Sequence, residues 1–426
     1  MSGRATLATL APPRRRWVRD LSRWATTGDL PADVLTCLAG DELRALLGTG
    51  RHVSLVVVDA GSSALDRDLV ALAGSVGSRV VVVDDGRHQR DWESVGCAEL
   101  VPEPSGPSDV VELVERHGQL EPPARRQGTR VLGLGRAVGD ACRVVAVTGA
   151  GDASTIAAAA AQHFGAGPRG RSQVALVDGS RRSTQTVLHA PTDVVPGIAE
   201  LVDAHRNDAP DPEVVRTFLH PVADRGYDLL LGLARTRDWA GLRPLALAAA
   251  LDTLTRTYST LVVHHDPDVD GMASTGSVEV EERHTLSRWA VDHADLVVVV
   301  AQPDLSALHG LAAVRADLLD HGVSPDRLLV AVHPLGGGRA RQVADVELRR
   351  AVGGPFAALG RCRGVEQAHR AAGPLPRRLV APLGRAVDQA LHRAGARSAP
   401  GPGTAVVPGE LGTRLDRFAP HGGEAA

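Results

Sequence analysis

Lysine is absent from this chain. All 47 basic residues among the 426 are arginine. That excludes a lysine Schiff base, a lysine general base and a lysine ammonium on a phosphate. Aromatic residues are scarce at 3%, while the hydrophobic share is 43%, so the cores must be built from Val, Leu and Ala. The single Asn and the two Ile complete the pattern of a GC-rich genome. Cys37, Cys97, Cys142 and Cys362 are far apart and form no CxxC pair, which argues against a disulfide framework or a zinc site. No apolar run approaches the ~20 residues a membrane span needs. The basic N-terminal patch is followed by no long apolar stretch, so no signal peptide is expected. The net charge of -3 gives no general reason to expect nucleic acid. A soluble cytoplasmic protein is the expectation.

What is present is alternation. Short β-branched runs are separated by longer Ala/Leu/Arg helical patterns, which reads as α/β with parallel sheets. In the first half the strand candidates are "ATLATL", "ADVLTCL", "HVSLVVVDA", "SRVVVVDD" and "AELVPEP". A Pro/Arg/Gly/Gln-rich stretch follows, then six more: "RVVAVTG", "SQVALVDG", "YDLLLGLA", "STLVVHHD", "DLVVVVAQ" and "RLLVAVHP". The reading is two doubly wound parallel-sheet domains, 1–118 and 142–397, joined by a linker, 119–141. The Gly/Pro-rich end, 398–426, is expected to lack order.

The first half resembles a response-regulator receiver domain. "HVSLVVVDAG" is similar to the strand that carries the phosphoacceptor, which would be Asp59. The resemblance implies an acidic pair after the first strand and a lysine on the fifth. Neither is here: the first strand runs into "APP", and Glu103 stands at the lysine position. A carboxylate there repels a phosphoryl group, so Asp59 reads as a vestigial phosphoacceptor in a pseudo-receiver used for packing or dimerisation. Trp17, Leu21 and Trp24 share one helical face among arginines. They suit the core of the first helix, with an interfacial membrane helix as the alternative.

The second half opens with "VVAVTGAGDASTIAAAAA", Val144 to Ala161: a strand, a glycine turn and a helix. That arrangement points backbone N–H groups at an anion. The order of elements resembles the MinD/ParA family, whose loop reads K-G-G-x-G-K-[ST]-[ST]. Laid on this chain, Thr148 takes the first lysine position, Gly149 keeps the first glycine and Ala150 replaces the second. Gly151 follows, Asp152 replaces the last glycine, and Ala153 replaces the phosphate-binding lysine. Ser154 and Thr155 keep the hydroxyls. A carboxylate ~4 Å from a phosphate charge costs on the order of 4 kcal/mol at an effective dielectric of ~20, before screening. Phosphoryl transfer needs the positioning and charge that lysine supplies.

Later segments follow the same pattern. Asp178 ends the second strand, where the resemblance implies help in placing Mg²⁺ or water; Ser180 breaks the Asp-x-Asp pattern. His264 falls on the Walker B aspartate position, with Asp266 two residues on as a substitute. His333 stands where the family has a base-contacting Asn. The nucleotide-binding set Gly149, Gly151, Ser154, Thr155, Asp178, Asp266 and His333 therefore reads as vestigial, with no catalytic residue, no metal and at most weak ATP/Mg binding. A receiver-like domain before a MinD/ParA-like domain is the layout of the CpaE/TadZ group, linked to Flp-pilus assembly, whose actinobacterial relatives are described as septum-site-determining. The resemblance implies a spatial regulator or scaffold with protein partners from the division or pilus machinery. It further implies a homodimer, recruitment to membrane, pole or septum, and no sequence-specific nucleic acid.

Three other readings compete. An active, divergent ATPase would use Arg and Ser154 in unfamiliar ways. "GAGDAS" also fits the dinucleotide fingerprint, with Asp178 on a ribose hydroxyl, though the loop-to-acid spacing is slightly long and a Tyr–Lys pair cannot exist. Asp266, Asp268, Asp270 and Gly271 imitate the start of an EF-hand, but position twelve is Ser277 and Glu279 comes two residues late. Arg181 and Arg182 could stand in for lysines at a phosphate; surface solvation is the simpler account. Ser154 has no His partner that would make it a nucleophile.

Overall fold

The computed structural model describes residues 4–12, 14–49, 51–88, 90–118, 142–149, 151–167, 173–191, 196–303, 305–335 and 354–398. The expected linker and C-terminal end lie outside these, apart from Ser398.

Residues 5–117 form a parallel sheet of β1 (Ala5–Leu10), β2 (Ala32–Cys37), β3 (Leu55–Asp59), β4 (Arg79–Val83) and β5 (Glu99–Val101). Its order is β2-β1-β3-β4-β5. The helices are α1 (Arg16–Thr27), α2 (Gly40–Gly48), α3 (Arg67–Ser75), α4 (Trp92–Val95) and α5 (Pro107–His117). They cover both faces, so the central strands β3 and β4 are almost wholly buried, while the edge strands β2 and β5 carry exposed positions. In α1, Trp17, Val18, Leu21 and Trp24 are buried. Each gains roughly 1.5–3 kcal/mol by leaving water, which settles this helix as core and not a membrane-lying element. Gly28, in the left-handed region at φ 85°, ends it.

The second sheet has eight strands in the order β13-β12-β11-β6-β10-β7-β9-β8. They are β6 (Arg143–Gly149), β7 (Val174–Gly179), β8 (His220–Val222), β9 (Tyr227–Leu230), β10 (Thr260–His265), β11 (Leu296–Ala301), β12 (Leu328–Leu335) and β13 (Phe356–Gly360). All pairs are parallel except β8 with β9. On one face lie α6 (Ala153–Gly165) and the C-terminal helix Arg377–Ser398. On the other lie α8 (Ile198–Ala204), α10 (Pro244–Thr257), α13 (Thr285–His293) and α14 (Leu305–Asp320). Between them in the chain fall the short helices α7 (Gln185–His189), α9 (Pro212–Arg216), α11 (Met272–Thr275) and α12 (Val278–Arg283). The run of five alanines in α6 packs fully buried on the sheet. The fold is α/β with two doubly wound parallel sheets.

The two sheets are joined through three consecutive residues. Asp66, fully buried, accepts from Arg44 of its own unit at 2.8 and 3.0 Å and from Arg206 of the other at 3.0 Å. Arg67 donates to the carbonyls of His205 and Asp208. Asp68 accepts from the Leu245 and Ala246 amides, in the first turn of α10, at 3.0 and 3.4 Å. Its carboxylate thus caps a helix of the other unit, where the helix dipole favours negative charge. Burial pushes the Asp68 pKa up, against the pull of those amides.

Candidate functional site

The carboxyl ends of β6, β7, β10 and β11 converge. Register places Thr148 and Gly149 beside Val299 and Val300, and His264 beside Val147 and Asp178. Ligands of open α/β sheets bind outside these strand ends. Gly149 has φ 116° and Gly151 φ 83°, conformations that side chains rarely adopt. A Cβ on Gly149 would fall on the Val300 backbone, and one on Gly151 would meet the Gln302 side chain at 2.8 Å. The glycines are therefore dictated by close approach, as the loop reading expects.

Asp152 is the residue before α6, yet its side chain makes no capping bond to the helix. Its Oδ2 accepts from His333 Nδ1 at 3.0 Å instead. That bond holds the Asp152 carboxyl below its ordinary range, against the opposing effect of burial. The Asp152 carbonyl accepts from the Ile156 amide at 3.0 Å, but its carboxylate takes none of the first-turn N–H groups of α6. Sequence reasoning set Asp152 in the cradle and His333 at a base contact. The structure joins the two. His333 is buried, and its Nε2 has no partner among the described residues.

Thr155 shares a 3.1 Å hydrogen bond with His369 Nε2, from the helix Val365–Arg370. The Ser154 carbonyl accepts from Gln185 Nε2 at 3.0 Å. Asp178 is fully buried and accepts from Ser183 Oγ at 2.6 Å, the Gln185 amide at 3.1 Å and His264 Nδ1 at 3.3 Å. Both of its oxygens are occupied, and a ribose hydroxyl would have to displace these donors. Asp266 accepts from Ser180 Oγ at 2.7 Å and from Arg181 through Nε at 2.6 Å and the amide at 3.1 Å. Burial raises the Asp266 pKa, and the hydrogen bonds from Arg181 and Ser180 more than offset it. Arg181 is not a solvated surface residue: it also binds Asp268 at 2.7 Å. Asp270 accepts from Ser274, and Glu279 pairs with Arg283, so the EF-hand-like acids do not converge on one point.

In the first unit, Asp59 is buried and ion-paired with Arg15 Nε at 2.7 Å; Arg15 also reaches Asp85 at 3.1 Å. Glu103 lies 3.9 Å from the same guanidinium. The cation that answers Asp59 thus comes from the residue preceding α1, not from the fifth strand. Beside it, Asp84, Asp85 and His88 place one ligand atom each within 4.8 Å of one another; among the described residues they are the three-donor group.

One residue had no sequence signal. Arg225 is 1% exposed. Among the described residues no carboxylate pairs with it. Its Nε donates to the Gly373 carbonyl at 2.9 Å, and Nη2 to the carbonyls of Leu188 and Ala368 at 3.2 and 3.4 Å. Nη1 lies 3.0 Å from His189 Nε2. His189 Nδ1 donates to the Gln185 carbonyl at 2.8 Å, which leaves Nε2 to accept from Arg225 and from Tyr227 Oη at 2.6 Å. Burial, with the Arg225 charge behind it, lowers the His189 pKa to about 3.

The arrangement fits a phosphate at the glycine loop through backbone groups. Asp178 and Asp266 each accept from the chain's own donors. No protein-family model matches the chain, and no curated protein matches it. Among solved structures it is similar to a ParA family ATPase from Chlorobium tepidum TLS (18% identity, TM-score 0.46, over 59% of this chain and 99% of that one). It is also similar to a putative plasmid partition protein from Borrelia burgdorferi B31 bound to AMPPNP (12%, 0.44, over 60% and 99%). A third is the cell division ATPase MinD of Pyrococcus furiosus (14%, 0.43, over 58% and 98%).

Proposed function

We propose that residues 142–397 are a MinD/ParA-type unit that keeps a phosphate loop as architecture and has given up hydrolysis. Residues 1–118 are a pseudo-receiver joined to it, the CpaE-like layout. The protein acts as a spatial regulator or scaffold, in septum placement or Flp-type pilus assembly, binding protein partners as a homodimer. One observation carries the reading: each carboxylate at the loop end of the sheet, Asp152, Asp178 and Asp266, is bonded to a side chain of the protein itself. A Mg²⁺ or an attacking water would compete with those bonds, and no lysine exists to hold the transferring phosphoryl group.

The test is a titration of the purified protein with a fluorescent ATP analogue and Mg²⁺, with phosphate release followed in parallel. Weak binding without turnover is expected. Micromolar binding with turnover abolished by Ser154→Ala would establish a divergent ATPase instead. NAD in the same titration addresses the dinucleotide reading; the occupied oxygens of Asp178 predict no binding.

A further inference from the structure

In the first unit, β4 runs into "DDGRH", Asp84 to His88. The Asp84 amide donates to the Val101 carbonyl at 2.9 Å, so its backbone is still held on the sheet. Gly86 then turns the chain in the left-handed region at φ 81°. That turn brings the His88 ring back onto the two acids. His88 Nδ1 lies 3.0 Å from Asp84 Oδ1 and 3.7 Å from Asp85 Oδ1, and the three ligand atoms are all within 4.8 Å of one another. These spacings bracket the ~3.4 Å between ligands of a tetrahedral ion with bonds of ~2.1 Å.

The charges around the cluster do not balance within it. Arg15 serves three carboxylates: Asp59 at 2.7 Å, Asp85 at 3.1 Å and Glu103 at 3.9 Å. Asp84 receives none of that guanidinium. Its side chain is 8% exposed, and among the described residues its carboxylate has no partner outside the cluster, only the His88 ring. A carboxylate removed from water needs a cation beside it, and a neutral imidazole supplies a hydrogen bond but no charge. Arg15 does not obstruct an ion here. It binds Asp85 through Oδ2, whereas Oδ1 faces His88 and accepts only the Arg87 amide, at 3.2 Å. Asp59 stands apart from the set, because Arg15, Trp17 and the Gly61 amide take its oxygens. The Asp85 and His88 side chains are 20% and 27% exposed, which gives an ion a way in from solvent.

We propose that Asp84, Asp85 and His88 form a binding site for a divalent transition metal. The ion takes the place of the proton between His88 Nδ1 and Asp84 Oδ1 and cancels the charge that Arg15 leaves. One imidazole with two carboxylates suits Zn²⁺, Co²⁺ or Mn²⁺, whereas Mg²⁺ and Ca²⁺ favour all-oxygen sites. The site is separate from the glycine loop and from the EF-hand-like acids, and it stands or falls independently of the proposed function.

The full chain, stripped with a chelator, is titrated with Co²⁺ and followed by its visible absorption; Zn²⁺ and Mg²⁺ then compete. One saturable site in the micromolar range is expected, displaced by Zn²⁺ and not by equal Mg²⁺. His88→Gln and Asp84→Asn should each weaken Co²⁺ at least tenfold. His52→Gln, at an exposed histidine elsewhere, should leave it unchanged. Unchanged Co²⁺ binding in His88→Gln overturns the proposal and assigns the ion to other histidines of the chain. So does the lack of a saturable site below ~1 mM. Displacement by Mg²⁺ as readily as by Zn²⁺ overturns the ligand class. Far-UV circular dichroism checks that each variant is folded. If Asp84→Asn is not, His88→Gln decides alone, because its partly exposed ring can be replaced without opening the core.

Discussion

Replacing Asp66 with Asn removes one charge at the junction of the two sheets and turns Oδ2, which accepts from Arg44 and Arg206, into an amide donor. The Asp66 oxygens accept from Arg44 at 2.8 and 3.0 Å, from Arg206 at 3.0 Å and from the Leu69 amide at 2.8 Å. Asn is as good a helix N-cap as Asp, so the start of α3 survives. What is lost is the anion between two guanidiniums and, with it, the acceptor oxygen that Arg206 uses. At ~3 Å and an effective dielectric of ~20, each pair contributes on the order of 5 kcal/mol before desolvation. Removing one partner of a buried ion pair typically costs about 3–5 kcal/mol. The arginine side chains are 16% and 28% exposed, so water screens the stranded charges in part. The lower end, about 3 kcal/mol, is the expected loss. Urea unfolding measures it by far-UV circular dichroism for the whole chain and by amide exchange for each unit. A double-mutant cycle with Arg206→Ala should return a coupling of at least 1 kcal/mol, because that arginine belongs to the other sheet. A loss below ~1 kcal/mol, or a coupling near zero, would refute the claim that this cluster ties the units together.

Three further expectations follow from burial and geometry. His189 and His265 are held neutral by burial, with pKa values of about 3 and about 4 against 6.5 for a free imidazole; the unfolded chain takes up these protons first. Stability is therefore complete above pH 6.5 and falls as pH drops toward those values, by about 1.4 kcal/mol per pH unit for each group. His265→Gln should flatten the dependence of the urea midpoint between pH 6.5 and 4.5, and an unchanged slope would remove His265 from the account. Gly149→Ala places a Cβ on the Val300 backbone at φ 116° and should cost about 1–3 kcal/mol by thermal unfolding, whereas Gly241→Ala, where open space surrounds the position, should cost under ~1 kcal/mol. Acetyl phosphate should leave Asp59 unmodified by mass spectrometry, because Arg15 already neutralises it and Glu103 stands 3.9 Å from that guanidinium. Label on Asp59 would reverse the vestigial reading.

Much of the fold was legible because it depends on local pattern. β-Branched runs bounded by glycine and proline marked eleven strands, and the described residues hold thirteen. The two that escaped have local reasons. β8 is three residues long with Pro221 at its centre, tolerable only on an antiparallel edge. β13, "FAALG", has no β-branched residue and pairs only at the sheet's far side. The loop glycines were legible because backbone conformation demands them. Partnership was not. Asp152 and His333 are 181 residues apart, Thr155 and His369 are 214 apart, and nothing in either segment names the other. Arg181 read as a solvated residue because its two acids arrive from another strand end. Arg225 is the extreme case: it sits in "ADRGYD", an unremarkable polar turn, and becomes a buried cation only when α7, β9 and the helix Val365–Arg370 close around it.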